Sequence, residues 1–584
     1  MNNRLFIDAR TFLGKVWKLT RPYWRSEERW RARGLLIAIV GLTLGLVYIN
    51  VLLNSWNREF YNSLEQKNYT DFQALILYFC FLAAIYIAAA VYKIYLTQAL
   101  EMRWRVWLTK QYLGEWLDRQ TYYRLELQNR GTDNPDQRIA EDLRLFTGGT
   151  LSLSLDLLSS TVTLVSFIAI LWNVSGPLSF MLNGSNIVIP GYMVWAAILY
   201  ALVASVLTHT IGRSLIGINF QKERLEADFR FNLVRLRENA EGVALYKGER
   251  PEQEGLLARF ERIRANWWEL MRYTKRLTYF TAGYAQAAVV FPFLVAAPRY
   301  FSGAIPLGGL TQIAGAFSSV QDALSWFVNA YGTLASWKAS VDRLLTFQQA
   351  LDRAAADAEQ AEGIRVEPAP ARNLRAEHLD LALPGGDGKS GAVIVADASL
   401  EIEPGERMLV TGPSGNGKST LFRALAGIWP FGSGKITIPA GARVLFLPQK
   451  PYIPIASLRD AITFPSPSGA FADEQIREAL RACRLDHFAD RLDEVQNWSL
   501  SMSVGEQQRL AIARALLNKP EWLFLDEATA ALDEATEAHL YGLLRERLPN
   551  ATLVSIAHRP AVAAFHGKRY ALEVAGGRAR LAAA

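Results

Sequence analysis

Cysteine is nearly absent from this chain. Its 584 residues hold only Cys80, in an apolar run, and Cys483, in a polar stretch, which excludes a disulfide framework. Histidine is scarce as well, with six in all, and their spacing implies no histidine-built metal site. No repeat of fixed period is present, and low complexity is confined to one short stretch rich in Ala, Glu and Pro. The N-terminus is too charged for a secretory signal, and no small-residue cleavage site follows its first long apolar run, so no cleaved targeting segment is expected.

What the chain has in abundance is apolar residues, 51% of the total, at a mean hydropathy of +0.06. That average hides a split. The first part carries long apolar runs, and the part beyond about residue 340 reads as an ordinary α/β protein, in line with the two or three domains expected at this length. Six runs are long enough to cross a bilayer, which takes roughly twenty residues each: 35–54, 72–96, 153–172, 192–211, 279–297 and 310–334. Pro292 and Asp322 lie inside the last two. Arg21, Arg25, Arg29, Arg31 and Arg33 precede the first run, whereas residues 176–190 contain no lysine or arginine. The positive-inside rule then places both termini and the long loops 97–150 and 212–277 in the cytoplasm. The formal net charge of +7 sits largely beside apolar segments, which favours membrane lipid over nucleic acid as its partner.

The second half carries the chemistry. Gly412, Pro413, Ser414, Gly415, Asn416, Gly417, Lys418, Ser419 and Thr420 complete a phosphate-loop (Walker A) pattern between a strand-like run and an apolar helix. Glycines let backbone N–H groups turn in around phosphates, Lys418 supplies a point charge, and Ser419 offers a hydroxyl to Mg²⁺. Downstream, residues 522–527 form an apolar run ending in two acids, Asp526 and Glu527. Asp526 is a candidate Mg²⁺ ligand and Glu527 a candidate general base that polarises water. The expected cofactors are therefore ATP and Mg²⁺.

Met502, Ser503, Val504, Gly505, Glu506, Gln507, Gln508 and Arg509 resemble the signature of ATP-binding cassette (ABC) proteins, with Met for Leu, Val for the first Gly and Glu for Gln. The resemblance implies that Ser503, Gly505 and Glu506 contact nucleotide. Gln449 matches the glutamine loop, a further Mg²⁺ contact, Asp533 the D-loop, and His558 the switch histidine. The aromatic residue that usually stacks on adenine has no counterpart, since Leu381 and Leu383 stand in its region. Residues 412–430, and Asp133 to Ile139 in the first loop, are similar to the peroxisomal fatty-acyl (subfamily D) transporters. Leu53 to Tyr61 resembles the SbmA/BacA-type peptide-uptake proteins, and Arg237 to Glu249 resembles the second-loop coupling motif.

The fold so implied is a six-span α-helical membrane domain of ABC exporter type (type IV) fused to an α/β P-loop nucleotide-binding domain. Its expected division is 1–34 as a cytoplasmic segment, 35–345 as the membrane domain, 346–372 as a linker and 373–584 as the cassette. The resemblance implies ATP held between Lys418 of one copy and Ser503 of the other, and with one Walker A and one signature per chain a homodimer is the economical unit. ATP-driven uptake of peptides or cobalamin-like bulky polar solutes across a bacterial inner membrane leads the readings. Export or flipping of lipids or drugs, a proton-coupled permease and a non-transporting ATP sensor stay open. Asp156, His209 and Asp322 are the ionisable residues to watch inside the apolar runs. Asp322, among Ser318, Ser319, Gln321 and Ser325, marks a candidate transport pathway. Asp136 and Arg138 offer a candidate surface ion pair.

Overall fold

The computed structural model describes residues 12–128, 134–182, 185–359, 363–385, 390–575 and 578–584. The first eleven residues, Asp133 of the first-loop motif and residues 360–362 of the expected linker lie outside that set. Two compact units result: Met1–Leu113 with Asn134–Gln348, and Gly114–Asp133 with Gln349–Ala584.

Long helices make the first unit: α1 (Arg29–Glu65), α2 (Tyr69–Leu117), α3 (Thr121–Gln128), α4 (Leu143–Ser175), α5 (Tyr192–Glu238), α6 (Ala240–Tyr246), α7 (Glu249–Phe301) and α8 (Leu307–Glu359), although α3 itself and the ends of α2 and α8 fall in the second unit. Among the described residues, the helices that contain α1, α2, α4, α5 and α7 are long and apolar enough to cross a membrane. The sixth apolar run occupies the first half of α8. At 53 residues, α7 extends roughly 80 Å, far beyond a hydrocarbon layer of about 30 Å. It packs along α5, and the seven-residue α6 reverses the chain between them. Residues 176–190 are no plain loop: they form a hairpin of β1 (Leu178–Leu182) and β2 (Ser185–Ile189).

The motif around Asn54 has a structural task. Asn62 Oδ1 accepts from the Gly308 N–H at 3.0 Å, and Glu65 Oε2 accepts from the Leu307 N–H at 3.1 Å, which caps the start of α8. Asn54 Nδ2 donates to the Gln312 carbonyl at 3.2 Å. A Cβ at Gly308 would stand 2.0 Å from the Arg58 carbonyl oxygen, so only glycine permits this approach. Where α4 begins, Arg138 pairs with Asp142 rather than with Asp136, and Arg343 of α8 pairs with the same carboxylate.

The second unit is a sheet flanked by helices. Its strands are β3 (Arg365–Ala369), β4 (Leu374–Pro384), β5 (Ser390–Ile402), β6 (Arg407–Thr411), β7 (Gly432–Pro439), β8 (Val444–Leu447), β9 (Trp522–Asp526), β10 (Thr552–Ile556), β11 (Lys568–Ala575) and β12 (Arg578–Ala583). Among the described residues their order is β3-β7-β4-β5-β12-β11-β6-β10-β9-β8. Strands β11, β6, β10, β9 and β8 run parallel, and the central three, β6, β10 and β9, bury apolar residues on both faces, as such strands require. Helices α9 (Lys418–Leu425), α10 (Val504–Asn518) and α11 (Glu534–Arg547) belong to the layers around the sheet.

Composition misled at the expected linker. Helix α8 continues to Glu359, and Arg365–Ala369 is an ordered edge strand paired with β7. A prolyl residue is tolerated there because an edge strand need not donate on both sides. Helix α3 from the first loop also belongs to this unit, where Leu127 packs against its apolar core.

Candidate functional site

Parallel strands deliver their side chains at their carboxyl ends, and all the catalytic candidates emerge there. The phosphate loop follows β6, Gln449 follows β8, Asp526 ends β9 with Glu527 next, and His558 follows β10. A Cβ at Gly412, whose φ is +141°, would come within 2.7 Å of the Leu572 carbonyl oxygen; the loop turns there because that residue is glycine. Lys418 is buried, its ammonium donating to the Gly412 and Pro413 carbonyls at 2.9 and 2.8 Å. Burial holds that ammonium below the usual lysine range, against the pull of Glu527 and Asp526. Phosphate oxygens would replace those carbonyls with a stronger, charge-assisted interaction.

Ser419 Oγ donates to Asp526 Oδ1 at 3.1 Å, so hydroxyl and carboxylate converge. Burial pushes the Asp526 carboxyl above its usual range, and neighbouring Glu527 adds to this while Ser419 opposes it. Hard oxygen donors with one carboxylate fit Mg²⁺, which takes its remaining ligands from phosphates and water. Ser419 and Asp526 would hold it, and Gln449 offers an amide oxygen.

Glu527 is gripped from two sides. His558 Nε2 lies 2.9 Å from Oε1, and Gln449 Nε2 donates to Oε2 at 3.1 Å. Its backbone is left-handed, at φ +50°, strained for a side chain with a Cβ at a cost of about 1 kcal/mol or more. Such strain aims the carboxylate out of the strand line. Together these groups can order a water for attack on a terminal phosphate.

The signature residues stand apart from this cluster. Ser503 caps α10, where Glu506 returns a reciprocal bond, and no hydrogen bond joins them to residues 412–420 among the described residues. Burial works against the Glu506 charge, but bonds from Ser503 and His487 outweigh it and hold the carboxyl below its usual range. Asp533 is spent on capping α11 through Thr536, at 2.9 and 2.8 Å. Leu381 is buried in the core and Leu383 is exposed, so no aromatic ring stands at either position.

Two residues escaped the sequence reading. Gln508, 2% exposed, donates to the Gln449 carbonyl at 3.1 Å and accepts from the Ala531 N–H at 3.0 Å, bridging the glutamine loop to the D-loop. Arg559, beside His558, donates to the Leu532 and Ala530 carbonyls. Gln508 lay within the signature string, yet only the fold shows what it spans.

Residues 19–301 match the ABC transporter transmembrane region 2 family, and residues 395–530 match the ABC transporter family. The chain is 35% identical to the chloroplastic ABC transporter D family member 2 of Arabidopsis thaliana, over 96% of this chain and 86% of that protein. Identity is also 35% to the inner membrane ABC transporter ATP-binding protein YddA of Escherichia coli, over 95% and 97%. The fold matches a bacterial Atm1-family ABC exporter with ATP bound, at a TM-score of 0.67 and 18% identity, over 95% of each chain. Relatives at this identity, aligned over nearly their whole length, show that the chain belongs to the ABC transporters: a membrane domain of exporter fold fused to a cassette that binds and hydrolyses ATP to drive transport.

Proposed function

We propose that two copies of this chain form a homodimer in a bacterial inner membrane and take up peptides or other bulky hydrophilic solutes at the expense of ATP. Each nucleotide would lie between residues 412–420 of one copy and Ser503, Gly505 and Glu506 of the other. Ser419, Asp526 and Gln449 would hold Mg²⁺, Glu527 would act as base, and His558 would orient it. The spans run at the six sites read from the sequence, the sixth on α8. One observation carries the polar cargo. Helix α8 buries Ile313, Ala316, Phe317 and Val320, while Ser318 and Asp322 on the same helix stay exposed within the protomer. A carboxylate in an apolar span is costly against lipid, so that face suits a wet pathway. The likeness of residues 53–61 to the peptide-uptake proteins points the same way.

A second reading has its own support. The relatives include subfamily D members from Arabidopsis thaliana and mouse, which favours a fatty-acyl compound as cargo. Inside-out and right-side-out vesicles, given ATP on a known side, separate the two. Peptide accumulation on the ATP side supports uptake, and movement of a fatty-acyl probe away from that side supports export.

A further inference from the structure

The signature departs from its usual sequence by carrying Glu506 where the family has glutamine, and the structure surrounds that change with compensation. Glu506 Oε2 accepts from both the Ser503 N–H at 2.9 Å and the Ser503 hydroxyl at 2.8 Å. The Ser503 oxygen in turn accepts from the Glu506 N–H at 3.3 Å. The hydroxyl's one hydrogen is therefore committed to the carboxylate. The other oxygen, Oε1, stands 2.9 Å from His487 Nε2, and because a carboxylate only accepts, that ring nitrogen donates.

His487 is held for this contact by its own segment. It sits in the 3₁₀ turn Asp486–Phe488, next to Phe488, whose ring is buried and packs edge-on against buried Trp498 at 5.8 Å. Arg509, one turn along α10, donates to the Arg484 carbonyl at 2.8 Å and ties that turn to the helix. The imidazole itself is more than half exposed, so its position is not explained by core packing.

We propose that His487 is a positioning residue for the signature serine. The inference rests on the reading that Ser503 faces the partner copy's nucleotide. To donate to a terminal phosphate, Ser503 must turn its hydrogen away from Glu506, and a bare carboxylate at that place would both hold the hydrogen and repel the phosphate. His487 takes up Oε1 and offsets the charge, so Glu506 can release the hydroxyl while keeping its bond to the Ser503 N–H. The helix end then presents its partial positive charge to the phosphate. In relatives with glutamine at this position no such compensation is needed.

A double-mutant cycle on the full-length chain tests this. His487→Ala should lower the kcat of ATP hydrolysis about tenfold, the order of one charge-assisted hydrogen bond, with KM for ATP within about twofold of the parent. Its thermal midpoint should equal that of the parent, which a merely structural histidine would not allow. In a Glu506→Gln background, adding His487→Ala should change kcat by less than about twofold, because the charge to be offset is gone. An unchanged kcat in the single variant, or the same tenfold loss in the Glu506→Gln background, overturns the proposal. Ser503→Arg, run alongside, reports on the reading that Ser503 faces nucleotide: retained hydrolysis there overturns that reading, whereas a flat cycle with Ser503→Arg inactive overturns the role of His487 alone.

Discussion

Arg343 and Asp142, 201 residues apart in sequence, meet in a forked ion pair in which the Arg343 Nε donates to Asp142 Oδ2 at 2.9 Å and its Nη2 reaches Oδ1. Arg138 donates to Oδ2 as well, at 2.7 Å, and Ser340 accepts from Arg343. The carboxylate is 1% exposed. One buried anion thus fastens the start of α4 to α8, the helix that leads on toward the cassette. Its two cations come from separate segments, Arg138 just before α4 and Arg343 within α8.

Replacing Asp142 by Asn should leave two guanidinium groups facing each other around a neutral amide. The expected loss is about 2–3 kcal/mol of stability, below the full cost of a wholly buried pair because Arg343 is 40% exposed. Thermal unfolding in detergent measures it. Arg343→Lys keeps the charge but loses the fork, and should fall between the parent and Asp142→Asn.

This pairing shows where sequence reading stopped. Lys418, Asp526 and Glu527 were legible because each lies in a short string whose residue order reflects local geometry, a loop between strand and helix or the end of an apolar strand. The first-loop string around Arg138 was equally visible, but Asp142 lies beyond it, and the second cation on that carboxylate, Arg343, is set by tertiary packing that no local pattern announces. Arg365–Ala369 reads as a linker by composition, yet pairs with β7 because an edge position tolerates Pro368. Gln508 stood inside a recognised motif and still gave no sign that its two amide ends join separate loops.

Glu527→Gln should keep ATP binding and lower hydrolysis by about 10²–10⁴-fold, the usual contribution of a general base. His558→Ala should produce a smaller loss, since it removes one of two bonds that hold the carboxylate while Gln449 keeps the other. A phosphate-release assay and a fluorescent-nucleotide titration separate the two effects. Hydrolysis by Glu527→Gln within a factor of two of the parent would remove Glu527 from the base role.

Gln508→Ala should uncouple the glutamine loop from the D-loop and leave the Gln449 carbonyl and the Ala531 N–H without their partner. With the site buried, a destabilisation of about 1–3 kcal/mol is expected. Hydrolysis should fall with it, and Gln508→Glu should not restore it, because a carboxylate cannot donate to the Gln449 carbonyl. Restoration by Gln508→Glu would contradict the bridging role.

Shared nucleotide sites predict complementation. Chains bearing Lys418→Ala, mixed with chains bearing Ser503→Arg, should form dimers with one doubly defective site and one intact site. Purified mixed dimers are expected to hydrolyse ATP faster than either mutant homodimer. Equal, residual rates in all three preparations would argue that each cassette works without its partner's signature.

Asp322 offers the sharpest separation of transport from hydrolysis. The helix that carries it packs Ile313, Ala316, Phe317 and Val320 against neighbours and leaves Ser318 and Asp322 exposed, one turn apart on the same face. A carboxylate there needs water, a partner or cargo, because lipid alone would make it costly. If that face lines the pathway, Asp322→Asn should lower transport into vesicles at least tenfold while detergent-solubilised ATPase activity and yield stay within about twofold of the parent. If Asp322 instead holds the bundle together across the dimer, yield and thermal midpoint should fall along with transport. The neutral amide is close in shape to the carboxylate, so packing damage cannot imitate the first outcome. Unchanged transport would contradict both roles and leave Asp322 as a tolerated polar group in a water-filled vestibule.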